Sequence, residues 1–387
     1  MRDVAIIGVG LTKFGERYES DLRSLISEAG IAAIEDANIS NKDIDMLYVG
    51  NMASGRLTEQ EHIGALASDT LGLSNPPSLK VENACASGGT ALRQAYLAVA
   101  GGSSDFAMAL GVEKMTDVST SEATTGLGGA GDKTWELDEG ITFPGLYALM
   151  ARRHMHDYGT TEEQLAAVAV KNHDNAYLNK YAHFHKRITI DEVMKSKMIA
   201  DPLKLYDCSP ISDGAAAAIL VPLDIAKKYN DTPILIAGSG QASDTLRLAD
   251  RDSITGIKAA RIASKKAYEQ AKISPSDVNV AEVHDCFTIA EIMAMEDLGF
   301  YKKGEAAKAI ENGETKLNGK ISVNTSGGLK GCGHPVGATG IKQAAEIVWQ
   351  LRGEAGERQV TRADIGLTHN VGGSGSTAVV NIYKRVD

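Results

Sequence analysis

Four short segments carry side chains able to attack a carbonyl or move a proton. The first is Asn83-Ala84-Cys85-Ala86-Ser87-Gly88-Gly89. A loop of small residues there runs into an expected helix over Thr90 to Ala100. A cysteine near a helix N-terminus meets unpaired N–H groups and the positive end of the helix dipole, which favour the thiolate. The bland alternative is a buried capping cysteine. The second segment, Gly331-Cys332-Gly333-His334-Pro335-Val336-Gly337, sets a histidine on a glycine-flanked turn before another helix. An imidazole titrates near neutrality and suits a general base; otherwise this is a loop histidine without a role. The third, Glu282-Val283-His284-Asp285-Cys286-Phe287, lies at an expected strand end, where α/β folds place their sites. His284 there could donate to an oxyanion and Cys286 could act as a second acid/base, unless the segment is a strand-end cap with a core cysteine. The fourth, His369-Asn370-Val371-Gly372-Gly373-Ser374-Gly375, is a turn whose exposed N–H groups suit an oxyanion hole. A plain tight turn is the alternative.

The elements that must position these segments come as a duplication. Ile6-Ile7-Gly8-Val9-Gly10 and Ile236-Ala237-Gly238-Ser239-Gly240 each open a half. Each is followed by an amphipathic helical pattern, through Leu25–Ile31 and Ala259–Ala263. Those patterns end in matching phrases, Ala37-Asn38-Ile39-Ser40 and Ala271-Lys272-Ile273-Ser274, before strands at Met46–Val49 and Val280–Val283. Gly88–Ala95 matches Gly337–Ala344 at an interval of 249 residues, and the same interval sets Cys85 opposite His334. Closing strands begin near Asp213-Gly214 and Ser374-Gly375. Strands alternate with helices throughout, the pattern of layered α/β units. Two such repeats packed as pseudo-twofold partners would bring Cys85 and His334 into one site from opposite halves.

Residues 114–208 interrupt the first half. They include an expected helix from Thr161 to His173, with Thr160 and Glu163 at capping-box spacing, and the flexible-looking run Gly126–Gly131. An insertion of this size is expected to be a substrate-covering subdomain. The expected organisation is therefore 1–113 with 209–230, the insertion 114–208, and a second half 231–387. The net charge is −10 and no dense Lys/Arg run appears, which argues against nucleic acid. Only the turn His183-Phe184-His185-Lys186-Arg187 is locally basic, a contact for anionic phosphates or a solvated turn. Cys85, Cys208, Cys286 and Cys332 are far apart with no C-x-x-C pair, so neither a structural metal nor a disulfide framework is expected. No apolar run approaches the length of a membrane span, and no signal peptide is visible, so the expected location is the cytoplasm. Gly8-Val9-Gly10 lacks the third glycine of a dinucleotide fingerprint.

Together the four segments resemble the thiolase superfamily over essentially the whole chain. The resemblance implies the α/β thiolase fold, two duplicated halves in α-β-α-β-α layers with an inserted loop subdomain. It implies Cys85 as the acylated nucleophile and His334 as its activating base. The run His284-Asp285-Cys286-Phe287 looks like the H-D-C-F motif of sterol-carrier-protein-type thiolases and their archaeal relatives. Many thiolases keep their acid/base cysteine in a C-x-G loop; here that loop reads Asn370-Val371-Gly372, so the role moves to Cys286. Gly372 matches the backbone oxyanion donor that pairs with the Cys85 amide. Asn370, Phe287 and Ser209 fall in the substrate-binding loops, and Pro210 departs from the usual glycine after that serine.

The implied reaction joins two acetyl-CoA into acetoacetyl-CoA and CoA, feeding the mevalonate route to isoprenoids, with no metal or redox cofactor. The implied partners are the CoA thioesters, a homotetramer built as a dimer of dimers, and a complex with hydroxymethylglutaryl-CoA synthase. A small zinc-ribbon/OB-fold acyl-CoA-binding protein would bridge that complex. The rivals are a thiolase of broader chain length, a decarboxylating ketosynthase using Cys85, His284 and His334, and a non-catalytic acyl-CoA scaffold.

Overall fold

The computed structural model describes residues 1–386. β1 (Val4–Leu11) opens the first half, and its side chains alternate between two apolar layers. Ala5 and Ile7 pack outward under the helix Leu22–Asp36, while Val4 and Ile6 pack inward. β2 (Met46–Gly50) and β3 (Ser78–Val81) follow, then the helix Ser87–Gly101 and β4 (Ala107–Glu113). The inserted segment holds a small antiparallel pair, β5 (Met198–Ala200) and β6 (Leu203–Lys204), and β7 (Gly214–Pro222) closes the half. The second half repeats the order with β8 (Ile234–Ser243), the helix Lys258–Ala271 and β9 (Val280–Glu282). The helix Thr288–Asp297, β10 (Ser322–Val323), the helix Thr339–Arg352, β11 (Ile365–Gly372) and β12 (Thr377–Arg385) complete it.

Ten strands form one sheet in the order β10-β9-β11-β12-β8-β1-β7-β4-β2-β3. Outward from the centre, both arms run first strand, closing strand, fourth, second, third. β1 and β8 meet antiparallel at that centre, Ala5 opposite Leu235 and Ile6 opposite Ile234. This palindrome is the pseudo-twofold expected from the duplication. The helices Ser87–Gly101 and Thr339–Arg352 are buried between the arms, where Leu92, Val99, Ile341 and Ile347 share a cluster with Val4, Ile234 and Tyr383. The helix Leu22–Asp36 covers the outside of one arm, and the helices Lys258–Ala271 and Thr288–Asp297 cover the other. The layers are thus α-β-α-β-α, as expected.

The glycines that open each half explain the recurrence of their phrase. A Cβ on Gly8 or Gly10 would lie 2.4 or 2.1 Å from the carbonyl of Ala33 or Ala29; on Gly238 or Gly240, 2.2 or 2.0 Å from that of Ala267 or Ala263. Bare backbone at these positions lets the first helix of each half lie directly on its first strand. At the centre, a Cβ on Gly88 would lie 2.5 Å from the carbonyl oxygen of its repeat equivalent, Gly337. This contact brings the N-termini of the two central helices together. Gly88→Ala is expected to cost at least about 1–3 kcal/mol of overpacking and to depress the thermal midpoint and turnover together. Calorimetry beside a turnover assay checks this; an unchanged midpoint would mean the halves are not held at this contact.

Three local expectations change. The central helix begins at Ser87, three residues before Thr90. The capping box of the insertion helix Glu162–Tyr177 is Thr161 with Gln164, one residue after Thr160 and Glu163. Gly126–Gly131 is no free loop: Gly126 and Gly128 end a helix, Thr120–Gly128, and press on Leu57 and Leu137, which need the missing side chains. The insertion is also firmly seated. Asn172 Nδ2 donates to Asp285 (2.7 Å), Asn175 Nδ2 to the carbonyl of Asn324 (2.9 Å), and Asn179 Nδ2 to that of Ser326 (2.9 Å). Asn175 and Asn179 thereby satisfy buried backbone carbonyls of the second half, and Asn172 a buried carboxylate. Among the described residues no helix is long and apolar enough to cross a membrane.

Candidate active site

Cys85 stands two residues before its helix, in a loop cross-braced by Ser87. The Ser87 hydroxyl accepts from the Asn83 amide (2.9 Å) and donates to the Ala84 carbonyl (2.6 Å). Ala84 sits at φ 49°, a left-handed conformation rare for alanine and typical of loops that must aim a functional residue. From the other repeat come His284, just after β9, and His334, on the turn before the helix Thr339–Arg352. Cys85 Sγ and one ring nitrogen of each histidine all lie within 4.8 Å of one another. The two imidazoles meet edge to face, with centroids 5.1 Å apart at 85°.

The apolar side chains packed around Cys85, including Met115, Val336, Leu127 and Ile211, decide its charge state. Burial pushes the Cys85 thiol up to about 12, against a lowering hydrogen bond from the Gly373 N–H. Burial, with Lys342 behind it, pulls His334 down to about 3; burial and the facing His334 hold His284 well below its usual value. The resting site is therefore a neutral thiol beside neutral imidazoles. The helix-end preference for a thiolate, expected from sequence, is outweighed by desolvation.

Hydrogen bonds fix how His334 presents itself. Its Nδ1 lies 2.7 Å from Thr339 Oγ1, and that hydroxyl donates its only proton to the Pro335 carbonyl (2.9 Å). Thr339 must then accept, so the ring proton sits on Nδ1 and Nε2 keeps its lone pair. His284 Nδ1 lies 3.2 Å from Asn370 Nδ2, which also donates to the Cys85 carbonyl (3.0 Å), while Asn370 Oδ1 accepts from the Gly89 amide (3.0 Å). The Nε2 atoms of both histidines are buried and have no partner among the described residues. Behind the site, buried Glu113 at the end of β4 accepts from the Gly337 amide (2.9 Å), tying the first half to the His334 loop.

Cys286 is buried near Cys85, and the hydroxyl of Tyr147 bridges it to the Gly373 carbonyl at 3.2 Å. Phe287 stacks on Tyr147 with centroids 4.6 Å apart. Asp285 faces away from the reacting groups, accepting from the amides of Leu329 (2.6 Å) and Lys330 (3.2 Å); burial beside Glu291 raises it to about 7. Ser209 is placed by its backbone, whose amide donates to the Cys286 carbonyl (2.9 Å). Cys332 belongs to another environment. It is fully buried in the central apolar layer, 3.7 Å from Asn179 Nδ2, and the charges nearest it are those of Lys342, Glu282 and Glu346.

Sequence reasoning missed Tyr147, Thr339, Glu113 and Gly373. Thr339 had a signal, a hydroxyl five residues after a glycine-turn histidine. Tyr147 had none, because it enters from the insertion. The basic turn carries no free charge cluster: Lys186 lies 3.2 Å from Glu192 and Arg187 3.7 Å from Asp174. That pairing favours the solvated-turn reading.

His369 makes a separate test. It is buried in β11, both ring nitrogens lack a partner among the described residues, and burial lowers it to about 3. The unfolded chain therefore takes up its proton first as pH falls, so the stability it contributes is lost between the unfolded value of about 6.5 and 3. Relative to wild type, His369→Leu should gain about 1.4 kcal/mol for each pH unit below about 6.5. Urea midpoints of both proteins at pH 8, 6 and 5 check it; a constant difference would exclude the buried neutral imidazole.

Comparison with known proteins identifies the family. Residues 4–224 match the family model "Thiolase, N-terminal domain" and residues 240–385 match "Thiolase C-terminal domain-like". The chain is 56% identical over 385 residues to the acetyl-CoA acetyltransferase of Methanothermobacter thermautotrophicus, covering 100% of both. It is 36% identical to sterol carrier protein 2 of Homo sapiens, over 99% of this chain and 72% of that protein. Among solved structures, the Ltp2-ChsH2(DUF35) aldolase superposes with a TM-score of 0.86 at 27% identity, over 99% of this chain and 97% of the other. Matched by thiolase family models across both halves, this chain belongs to the thiolase family and is an acyltransferase.

Proposed function

We propose that the chain condenses two acetyl-CoA into acetoacetyl-CoA and CoA through an acetyl group on Cys85, and runs the reverse thiolysis. The observation that carries this reading is the meeting of Cys85 Sγ with the His284 and His334 nitrogens inside 4.8 Å. Cys85 attacks the thioester carbon as its proton passes to His334 Nε2, the nitrogen that Thr339 leaves unprotonated. CoA departs with that proton, and the N–H groups of Cys85 and Gly372 hold the oxyanion. The second acetyl-CoA places its thioester oxygen against His284. Cys286 must first lose its thiol proton to solvent, against the burial that holds that thiol well above its usual value; the thiolate, eased by the Tyr147 hydroxyl beside it, then takes an α-proton. The carbanion attacks the acetyl carbon, the C–C bond forms, and Cys85 leaves as thiolate. The proton on Cys286 returns to Cys85 and resets the site. Asn370, Phe287 and Ser209 shape the substrate loops without touching the reacting atoms.

The assay that tests this follows acetoacetyl-CoA beside longer 3-ketoacyl-CoA chains. A clear preference for acetoacetyl-CoA is expected; equal use of long chains would replace this reading with a broad-range thiolase. Elongation of malonyl thioesters without CoA-dependent thiolysis would replace it with a ketosynthase. The product is a C4 building block suited to the mevalonate route, with hydroxymethylglutaryl-CoA synthase as its consumer in a complex bridged by a small zinc-ribbon/OB-fold protein. Likeness to an aldolase named for two components, Ltp2 and ChsH2(DUF35), supports a partner of that kind. Self-association, the first step toward a homotetramer, is supported by β3, which ends the sheet with an unpaired edge and an exposed Leu79.

A further inference from the structure

We propose that Asn370 is a positioning residue that holds His284 in the Nε2–H tautomer, opposite to that of His334, so that the two histidines cannot exchange roles and are weakened as joint ligands for a metal ion. This deepens the reading of His284 as oxyanion donor and rests on it.

The carboxamide of Asn370 has no freedom to flip. Its oxygen faces the Gly89 N–H at 3.0 Å and its nitrogen faces the Cys85 carbonyl at 3.0 Å. Reversal would set a donor against a donor and an acceptor against an acceptor, both buried, at a large cost. Glycines make room for the group: a Cβ on Gly89 would come within 2.8 Å of Asn370 Oδ1, and one on Gly340 within 2.4 Å. The remaining proton on Nδ2 points at His284 Nδ1, 3.2 Å away. An amide nitrogen only donates, so Nδ1 must accept and the ring proton must sit on Nε2. At His334 the logic runs the other way, because Thr339 accepts from Nδ1. Two imidazoles 5.1 Å apart thus present one N–H and one lone pair to the same cavity. One can hold a developing oxyanion while the other takes a proton.

The same clamp acts on metal ions. Cys85, His284 and His334 offer one sulfur and two nitrogens within 4.8 Å, the donor set of a soft divalent cation such as Zn²⁺. Binding through His284 Nε2 would move the ring proton to Nδ1, against the Asn370 NH₂. That opposition of two donors weakens the site.

Full-length protein labelled with ring-¹⁵N histidine gives the direct test. Long-range ¹H–¹⁵N spectra, assigned with His284→Gln and His334→Gln, should show Nε2–H on His284 and Nδ1–H on His334; Nδ1–H on His284 would overturn the inference. A kinetic arm uses exchange of acetyl-CoA α-hydrogens with deuterated solvent. Asn370→Asp keeps the Gly89 bond and accepts from Nδ1–H, reversing the tautomer, but sets an acceptor against the Cys85 carbonyl, whereas Asn370→Ala releases His284 and both backbone groups. Exchange should fall about 10²-fold in Asn370→Asp while burst acetylation of Cys85, which does not use His284, falls far less; equal loss of both would mean a displaced Cys85 loop and a purely structural role. Zn²⁺ should inhibit Asn370→Asp at least about tenfold more strongly than wild type, and equal inhibition counts against the clamp. His284→Ala separates the two readings. If it retains exchange, the donor role fails whichever tautomer is seen; if it loses exchange while His284 carries Nδ1–H, only the Asn370 inference fails.

Discussion

Cys85→Ala is expected to abolish condensation and thiolysis together while leaving the fold intact. The thiolate is the only nucleophile in the scheme, and its loss removes both half-reactions. The fold survives because the loop backbone is braced by Ser87 and Asn370 and the change removes only one sulfur from the cluster around Met115 and Val336. Residual turnover should sit at the background that binding and oxyanion donors alone sustain, about 10⁶-fold below wild type by analogy with triads stripped of their nucleophile. Intact wild-type protein incubated with acetyl-CoA should show one acetyl group, on the peptide that carries Cys85. The neutral resting thiol adds a second expectation. With the thiol raised to about 12, alkylation of the free enzyme by iodoacetamide should be slow near neutrality unless His334 takes the proton during attack. Acetyl mapped to Cys286 or Cys332 would overturn the assignment.

Cys286→Ala is expected to separate the two halves of the reaction. Acetylation of Cys85 needs only His334 and the backbone donors, so the burst should survive nearly intact. Formation of the C–C bond needs a base for the α-proton and should fall by roughly 10²–10⁴-fold, the usual contribution of a positioned acid/base. Cys332 is the competing candidate because it lies two residues from His334 in sequence. Its surroundings argue otherwise: it faces Asn179 and a buried cluster of charges within the central layer, whereas Cys286 lies near Cys85 and Tyr147. Cys332→Ala should therefore keep both the burst and α-hydrogen exchange. Loss of exchange in Cys332→Ala with retention in Cys286→Ala would move the role and sink the H-D-C-F reading.

Much of the molecule was legible in the linear chain because its duplication repeats local packing constraints. Gly8 and Gly10 recur as Gly238 and Gly240 for one reason, the approach of a helix to a strand, so the phrase marks the same junction twice. The interval that pairs Gly88 with Gly337 also pairs Cys85 with His334, and the twofold turns that equivalence into contact. Helix edges were less legible. Thr160 and Thr161 offer nearly equivalent caps, and the choice rests on which one the folded chain turns toward the first amides of the helix.

The layered fold, the duplicated halves and the four loops that converge can be read from the linear chain, because these depend on periodicity, glycine placement and residue type. Tertiary structure alone decided charge and proton position. Whether Cys85 rests as thiol or thiolate depends on how much apolar surface closes over it, a sum over residues distant in sequence such as Met115, Leu127 and Val336. Which nitrogen of His284 or His334 carries the proton depends on single hydrogen bonds to Asn370 and Thr339. Tyr147 reaches Cys286 across 139 positions, a contact no local pattern encodes. Residue types limit which reactions are available to a site, but desolvation and hydrogen-bond direction are properties of the packed interior and exist only once the chain has folded.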